Sequence, residues 1–523
     1  MSRTRSPRTA GRLAPVVASA LTILAMAVVA AGRGSPYQPI LPPGAEPSGW
    51  LRDLARAVGL GSIHGNALLA VSVVVAGAAV LASLWLLRET WRGHVATPAV
   101  AVVVVAAHLV VLALPLLFSR DVYSYAFYGR IDAVHGANPY LDTPLDHSGD
   151  ELWRYVGPKW VDTPAVYGPA WTAVSSWVAR RAVTPADHVD AYRAIAVAAS
   201  LATSAAIAWS ARRLAPGRTA FALAAFGANP VVLFHAVASG HNDLAVALSI
   251  AVGLGLVVSG RSTAAVVTLA LGALVKATAA LPLLLLLVWL VGREPPGRRR
   301  RALLVHGGPA VVVALVVAAP YLQPHDPTLG MLELATHEGW LAPSAVIGRL
   351  LNVLTFDTLG WLVRLVFGVV LLVAVVGTAR EVWRRASSGD PLAVPGLAAA
   401  WGWVLVLFAL LSPVLLPWYV VWALPLVWLL PRAARAALLA SSALLAVTLW
   451  SAEPLRFPGA FDVNLFVGSW IVTPILLALA LRALRDLRAR VDLGMPFEDP
   501  VPAPAGRHRA DDQERVAAPT GHG

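Results

Sequence analysis

The segment SRDVYSYAFYGRID at 119–132 places carboxylates and aromatic side chains directly after an apolar run. If it is helical, Asp121, Tyr125, Tyr128 and Asp132 lie on one face, because residues three and four positions apart are helical neighbours. Carboxylates accept hydrogen bonds from hydroxyl groups, and aromatic rings pack against the apolar face of a sugar. The pattern therefore predicts a sugar site. An ordinary interfacial helix also explains the tyrosines, but not an acid so close to the hydrocarbon edge.

Two further polar positions interrupt apolar runs. The first is SGHND at 239–243, where His241, Asn242 and Asp243 are costly unless they are solvated or paired. A helix N-cap is the alternative, and the two interpretations are compatible because a helix N-terminus also binds anions. The second is Lys276, one of two lysines in the chain, for which we predict a phosphate or carboxylate partner. A lysine that extends to the membrane surface is the alternative.

Aromatic residues also cluster in LPWYVVWALP at 416–425, which contains Trp418 and Tyr419. Alone, this segment is typical of the aromatic belt at the start of a membrane span. His325, His337 and Glu338 match no metal-ligand spacing.

The composition indicates what surrounds these residues. The 523 residues are 58% hydrophobic and only 13% charged, whereas soluble chains carry about 25% charged residues. Most of the surface must therefore face an apolar environment. The net charge of +12 does not indicate nucleic-acid binding, because the arginines lie at the ends of apolar runs. Cysteine is absent, which excludes disulfides, thiolate metal sites and cysteine nucleophiles.

Apolar runs long enough to be span candidates recur along the whole chain, and we predict an all-α bundle of about 14 transmembrane helices. The predicted spans are 13–32, 66–87, 98–118, 191–214, 219–237, 243–258, 262–275, 277–291, 302–321, 360–379, 394–411, 417–430, 433–450 and 465–481. The pieces at 262–275 and 277–291 are short and suggest a broken hairpin. The first run is predicted to be an uncleaved span, with a signal peptide as the alternative.

Arginines alternate between the loops and set the predicted topology. Arginine-rich loops are assigned to the cytoplasm together with both termini, and most acids fall in the opposite loops. The predicted location is therefore a multi-pass cell membrane protein with an extracytoplasmic active site in the loop 119–190. We divide the chain into a cytoplasmic N-terminal segment at 1–12, a transmembrane domain at 13–483, and a largely disordered cytoplasmic tail at 484–523.

Four segments together carry a family resemblance. SRDVYSYAFYGRIDAVHGANPY, SGHNDLAVAL, LVKATAALP and LPWYVVWALP resemble, in this order, the bacterial polyprenyl-phosphomannose-dependent α-1,6-mannosyltransferase family, between about Phe118 and Pro425. The resemblance implies a GT-C-type membrane glycosyltransferase. Its donor would be a polyprenyl-phosphate-linked mannose, and its acceptor an extracytoplasmic mannan or glycolipid of the cell envelope. No nucleic-acid partner is implied.

The resemblance also implies roles for single residues. Asp121 would be the general base of an inverting transfer that forms an α-1,6 linkage. Residues implied to bind the donor phosphate are Lys276, His241, Asn242 and Arg130. Residues implied to bind sugar or acceptor are Tyr123, Tyr125, Tyr128, Asp132, Asp243, Trp418 and Tyr419. Relatives often carry two adjacent acids, whereas here Arg120 precedes Asp121. The sequence thus supports neither a divalent metal site nor a cofactor.

Other functions fit parts of the pattern. A transporter or flippase of a lipid-linked or small solute would explain broken helices and a lysine within an apolar stretch. It predicts inverted repeats and ionisable residues near the bilayer midplane, whereas the acids here gather on one side. A transferase of another linkage or another prenyl-linked sugar, such as arabinofuranose, is equally compatible with the motifs. An inactive glycolipid-binding scaffold is the third alternative.

Overall fold

The computed structural model describes residues 12–42, 50–322, 329–331, 341–356, 358–388, 392–448, 457, 459–493 and 495–497. Across these residues the secondary structure is helical and contains no strand, so the predicted all-α class is confirmed. The α-helices are α1 Ala14–Ala31, α2 Trp50–Ala57, α3 Gly65–Trp91, α4 Thr97–Leu112, α5 Asp121–Ala133, α6 Pro169–Ala179, α7 Pro185–Leu214, α8 Thr219–Gly227, α9 Asp243–Val258, α10 Ser262–Val275, α11 Ala280–Gly292, α12 Arg299–Ala318, α13 Pro343–Leu354, α14 Gly360–Ala386, α15 Val394–Leu411, α16 Arg432–Ala446, α17 Ala460–Val467 and α18 Thr473–Leu493.

Within the described ranges, seven helical stretches are long and apolar enough to cross a membrane. They are Ala14–Ala31, Gly65–Trp91, Pro185–Leu214, Pro296–Tyr321, Gly360–Ala386, Val394–Leu411 and Asp462–Asp492. An eighth is formed if the pair Pro216–Gly227 and Val231–Val237, bent by 42°, counts as one span. The chain is therefore a polytopic membrane protein with seven or eight candidate spans.

Four further apolar helices coincide with predicted runs but are short, namely α4, α9, α10 and Ala277–Gly292, and a fifth short apolar helix, Pro343–Leu354, was not predicted. A helix of 16 residues such as α4 is about 24 Å long, less than the roughly 30 Å of a hydrocarbon core. Several of the about 14 predicted spans thus correspond to helices that are too short to cross a bilayer alone.

The prediction of a spanning helix at 417–430 is wrong. This stretch forms the short 3-10 helices Pro417–Trp422 and Leu424–Leu426. Pro417 and Pro425 lack the N–H groups that a continuous helix needs, and proline in a helix interior breaks it. Irregular backbone is tolerated at membrane depth only where protein or a cavity surrounds it, and here the side chains from Trp418 to Leu430 are buried.

The break after α4 places the start of α5. The predicted span 98–118 ends as a helix at Leu112, and Phe118 then adopts a left-handed backbone with φ of 58°. The Phe118 N–H donates to the Tyr37 carbonyl at 2.7 Å, and its ring stacks on His235 at 3.9 Å between centroids. Left-handed backbone is strained for a residue with a side chain, so these contacts must hold it. They fix the direction in which α5 begins.

Helices α5 and α6 pack with their backbones in close contact at Gly129. A methyl group on Gly129 would overlap the Ser175 carbonyl of α6. We expect Gly129→Ala to lower the free energy of unfolding by about 1–3 kcal/mol, because an overpacked contact forces the backbones apart. Thermal unfolding in detergent measures this effect.

The matched control is Gly77→Ala in α3, where an added methyl group meets nothing within 4 Å. Alanine is the better helix former, so this variant should be as stable as the parent or slightly more stable. A Gly129→Ala protein that unfolds at the parent temperature would contradict the close α5–α6 contact.

The last helix extends to Leu493, so the first ten residues of the predicted tail at 484–523 are helical. Residues 498–523 and 1–11 lie outside the described residues, as do His325, His337 and Glu338.

Candidate active site

Asp121 is the first residue of α5 and lies at a partly open position. Its side chain is 20% exposed. The Ser119 hydroxyl donates to Asp121 Oδ1 at 2.7 Å, and the Asp121 N–H donates to Ser119 Oγ at 3.1 Å. Burial raises the pKa of the Asp121 carboxyl above its usual range, and Asp243 adds to the rise, while Ser119 and Lys276 oppose it. The carboxyl is thus oriented, accessible and more basic than an ordinary aspartate.

His241 lies beside this carboxyl. Its Nδ1 is 3.6 Å from Asp121 Oδ2 and 3.3 Å from the Tyr125 hydroxyl. The imidazole stacks on Trp418 with 3.8 Å between ring centroids and an angle of 18°. Tyr125 also donates to Asn242 Oδ1 at 3.4 Å. Since His241 is buried, these contacts hold its ring in one orientation against the general-base candidate.

An ion pair forms the other side of the site. Lys276 Nζ donates to Asp243 Oδ1 at 2.8 Å, and the Trp422 indole N–H donates to the same oxygen at 2.8 Å. The ammonium also lies 4.6 Å from the centre of the Tyr419 ring and 5.3 Å from that of Trp422. Asp243 is fully buried and Lys276 is 12% exposed. The carboxylate predicted as one alternative partner for Lys276 is therefore Asp243.

Three buried polar atoms in this cluster have no hydrogen-bond partner within the described part of the chain: His241 Nε2, Asn242 Nδ2 and Asp243 Oδ2. Asn242 occupies the N-cap position of α9, but its side chain makes no capping hydrogen bond. The alternative explanation of SGHND as a side-chain cap is therefore not supported. Buried groups without partners are rare, and they are candidates for binding substrate.

Breaks between helices position Asp121, His241 and Lys276. Asp121 follows the break after α4, and His241 lies in the turn between the π-helix Val231–Val237 and α9. Gly240 in that turn has φ of 66°, and a side chain there would meet Val122 and Tyr192. Lys276 is an extended residue between α10 and a 3-10 turn. Short helical interruptions of this kind are common at membrane-protein binding sites.

The structure brings together eight of the twelve predicted site residues. Those in the cluster are Asp121, Tyr125, His241, Asn242, Asp243, Lys276, Trp418 and Tyr419. Ser119 and Trp422 also belong to it and were not predicted. The signal for Trp422 was its spacing of four residues from Trp418, and that for Ser119 was its position two residues before the acid.

The other four predicted residues, Tyr123, Tyr128, Arg130 and Asp132, have contacts outside this cluster, and their roles in binding sugar or phosphate stay predictions. The rings of Tyr123 and Tyr155 lie 5.1 Å apart, and the Tyr128 hydroxyl donates to the Thr163 carbonyl at 3.0 Å. Tyr123, Tyr125 and Tyr128 are all buried, because α5 is covered by α6 and α7 and is not an open interfacial helix. They form no exposed platform for a sugar.

Arg130 and Asp132 are separated from the site by distance along the helix. Arg130 Nε donates to Asp150 Oδ2 at 2.7 Å, and Asp132 accepts from Ser176 and, at 3.4 Å, from Tyr321. Eleven residues of helix place Asp132 about 16 Å from Asp121. Within the described ranges, no group of three or more His, Asp or Glu residues is arranged to hold a metal ion.

Comparison with known proteins agrees with the resemblance. A family described as alpha-(1->6)-mannopyranosyltransferase, N-terminal domain, matches residues 16–293. The chain belongs to this family. The match includes Asp121, the HND turn and Lys276, so three of the four site segments fall within the family domain. The chain is therefore a mannosyltransferase.

Individual relatives carry the same description. An alpha-(1->6)-mannopyranosyltransferase A of Mycobacterium tuberculosis is 28% identical over 376 residues, covering 68% of this chain and 69% of its own. A Corynebacterium glutamicum protein of the same name is 31% identical over 188 residues, 34% of this chain and 36% of its own. A probable alpha-(1->6)-mannopyranosyltransferase of Mycolicibacterium smegmatis is 31% identical over 155 residues, 29% of this chain and 26% of its own. No solved structure matches the chain.

Proposed function

We propose that the chain transfers mannose from a polyprenyl-phosphate-mannose donor to an extracytoplasmic mannan or glycolipid, forming an α-1,6 linkage with inversion. The observation that carries this proposal is that an accessible carboxyl and a cation lie in one site whose walls are aromatic side chains. The Asp121 side chain is partly exposed. Burial and Asp243 raise its pKa, whereas Lys276 lowers it. Family membership supports mannose as the transferred sugar.

Asp121 is the general base in this proposal. As the acceptor 6-hydroxyl oxygen attacks the anomeric carbon, its proton moves to the Asp121 carboxylate. The bond between that carbon and the phosphate oxygen breaks, and the bonding electron pair leaves with polyprenyl phosphate. His241 packs against Asp121 and keeps the carboxylate in position.

Lys276 stabilises the leaving group. Negative charge grows on the phosphate oxygens during transfer, and preorganised cations and N–H donors stabilise such charge in a site with little water. The free Asn242 amide N–H and His241 Nε2 are available as further partners. Asp243, which was predicted to bind sugar, instead holds Lys276 through its salt bridge. Its second contact, from Trp422, fixes the geometry of that pair.

Mannosyl transfer should depend on pH through Asp121. A general base works only when deprotonated, and the Asp121 pKa lies above the ordinary aspartate range. Activity should therefore fall as pH drops through this raised pKa, so the acidic limb of the profile should lie above the ordinary aspartate range. The dependence of kcat/KM on pH, measured at fixed ionic strength, gives the pKa of this acidic limb. An acidic limb at or below the ordinary carboxyl range would contradict the role of Asp121.

The function itself is tested by a transfer assay. Membranes that contain the chain are supplied with radiolabelled polyprenyl-phosphomannose and short mannoside acceptors, and the product linkage is determined. New α-1,6-linked mannose supports the proposal, and another linkage or no transfer contradicts it. Counterflow of labelled solute in proteoliposomes without transfer would instead indicate a transporter.

A further inference from the structure

A second polar cleft lies beside α5, away from Asp121. It has a volume of about 700 Å³. Its polar and aromatic lining includes Arg130, His135, Asp150, Arg154, Tyr155 and His188. We call it the α5–α7 cleft. Nine residues of α5 separate Asp121 from Arg130, a rise of about 13 Å that ends on the opposite side of the helix. A molecule in this cleft therefore does not touch Asp121.

Asp150 organises the floor of the cleft. It accepts from Arg130 Nε at 2.7 Å and lies 2.9 Å from His135 Nε2. The Leu152 N–H donates to its other oxygen at 2.9 Å. Burial raises the pKa of Asp150, but these contacts outweigh that effect and lower it. The floor is thus an ordered, ionised network.

His188 supplies an unused binding group in the wall. It is 1% exposed, and neither ring nitrogen has a hydrogen-bond partner among the described residues. Its neutral imidazole offers one donor and one acceptor. A buried side chain with both positions unsatisfied is costly unless a ligand uses them.

The charges identify the class of ligand. The guanidinium groups of Arg130 and Arg154 are balanced by the carboxylates of Asp150 and Glu151, so the lining has no excess of either sign. Such a lining discriminates against anions and offers donors and acceptors together. A neutral polyhydroxylated molecule matches it.

We propose that the α5–α7 cleft binds a segment of the acceptor mannan remote from the hydroxyl that reacts. This inference rests on the proposed function for the identity of the sugar. The cleft would hold a long acceptor through sugars that never reach Asp121. It would therefore favour elongated acceptors over short ones.

The test is equilibrium binding of a long α-1,6-linked mannooligosaccharide to the full-length protein in detergent, measured by calorimetry without donor. The parent should bind it, and His188→Leu and Arg154→Ala should each weaken binding about tenfold. Arg154 is exposed, so its removal does not threaten folding. The control is Arg181→Ala, which removes an exposed arginine at the end of α6 outside the cleft lining and should bind like the parent.

Three outcomes would overturn the cleft assignment. These are no binding by the parent, parental affinity in both cleft variants, and displacement of the oligosaccharide by inorganic phosphate, which would make the cleft an anion site. Failure of the proposed function has a different signature. In that case the parent binds the oligosaccharide in the cleft but transfers no mannose to any acceptor.

Discussion

Replacing Asp121 with asparagine should reduce the rate of mannosyl transfer at least about a hundredfold, because a general base contributes about 10²–10⁴ in rate. Asparagine keeps the size of the side chain and can still accept from Ser119, but it cannot take a proton. The initial rate of labelled mannose transfer, compared at equal amounts of membrane-inserted protein, measures the loss.

Asp162→Asn is the matched control. It changes an exposed acid of the same loop in the same way and should transfer mannose at the parental rate. If Asp121→Asn kept most of the activity, the assignment of the base would be wrong. Asp132, the other acid of the 119–132 segment, lies about 16 Å along α5 and accepts from Ser176 and Tyr321. The search would then turn to His241.

Removing the Lys276 ammonium should have the second large effect. In Lys276→Met, the fully buried Asp243 carboxylate loses its cation. Breaking a buried pair from one side typically costs about 3–5 kcal/mol of stability. Losing a group that stabilises transition-state charge costs about 10²–10³ in kcat. Thermal unfolding in detergent and the transfer assay measure the two effects separately.

The double variant Lys276→Met with Asp243→Asn separates structure from chemistry. It removes both charges, so most of the lost stability should return, because the buried charge without a partner is gone. Transfer should stay low, since the cation near the phosphate is still missing. Recovery of transfer together with stability would show that Lys276 has only a structural role.

Residue types and order were sufficient to predict the all-α membrane class, and they singled out eight residues that the structure places together. Asp121, His241 and Lys276 were recognisable because polar residues inside apolar runs are costly and so need a reason. Their mutual distances were not predictable, since 116 residues of chain separate Tyr125 from its contact His241. Only the packing of the helices brings such positions together.

The errors of prediction have identifiable causes. Apolar content cannot tell a spanning helix from a buried irregular segment, so the proline-containing stretch at 417–430 resembled a span. Helical periodicity put Asp132 on the face of Asp121 but says nothing about which neighbour covers each turn. Tyrosines such as Tyr123 and Tyr128 are typical of an interfacial helix, yet α6 and α7 bury both side chains. The Arg130 guanidinium donates to Asp150, a contact that the sequence did not indicate.

The site holds one ammonium, that of Lys276, and two carboxylates, those of Asp121 and Asp243. This charge balance sets the order of the last steps of the catalytic cycle. On the proposed chemistry, Asp121 ends each transfer carrying a proton, next to a phosphate that has just gained charge. Giving up that proton while the phosphate remains would leave three anionic groups around one cation, Lys276, whose charge is already shared with Asp243. Polyprenyl phosphate therefore leaves the site before Asp121 loses its proton. Polyprenyl phosphate that is retained in the membrane would slow the next turnover.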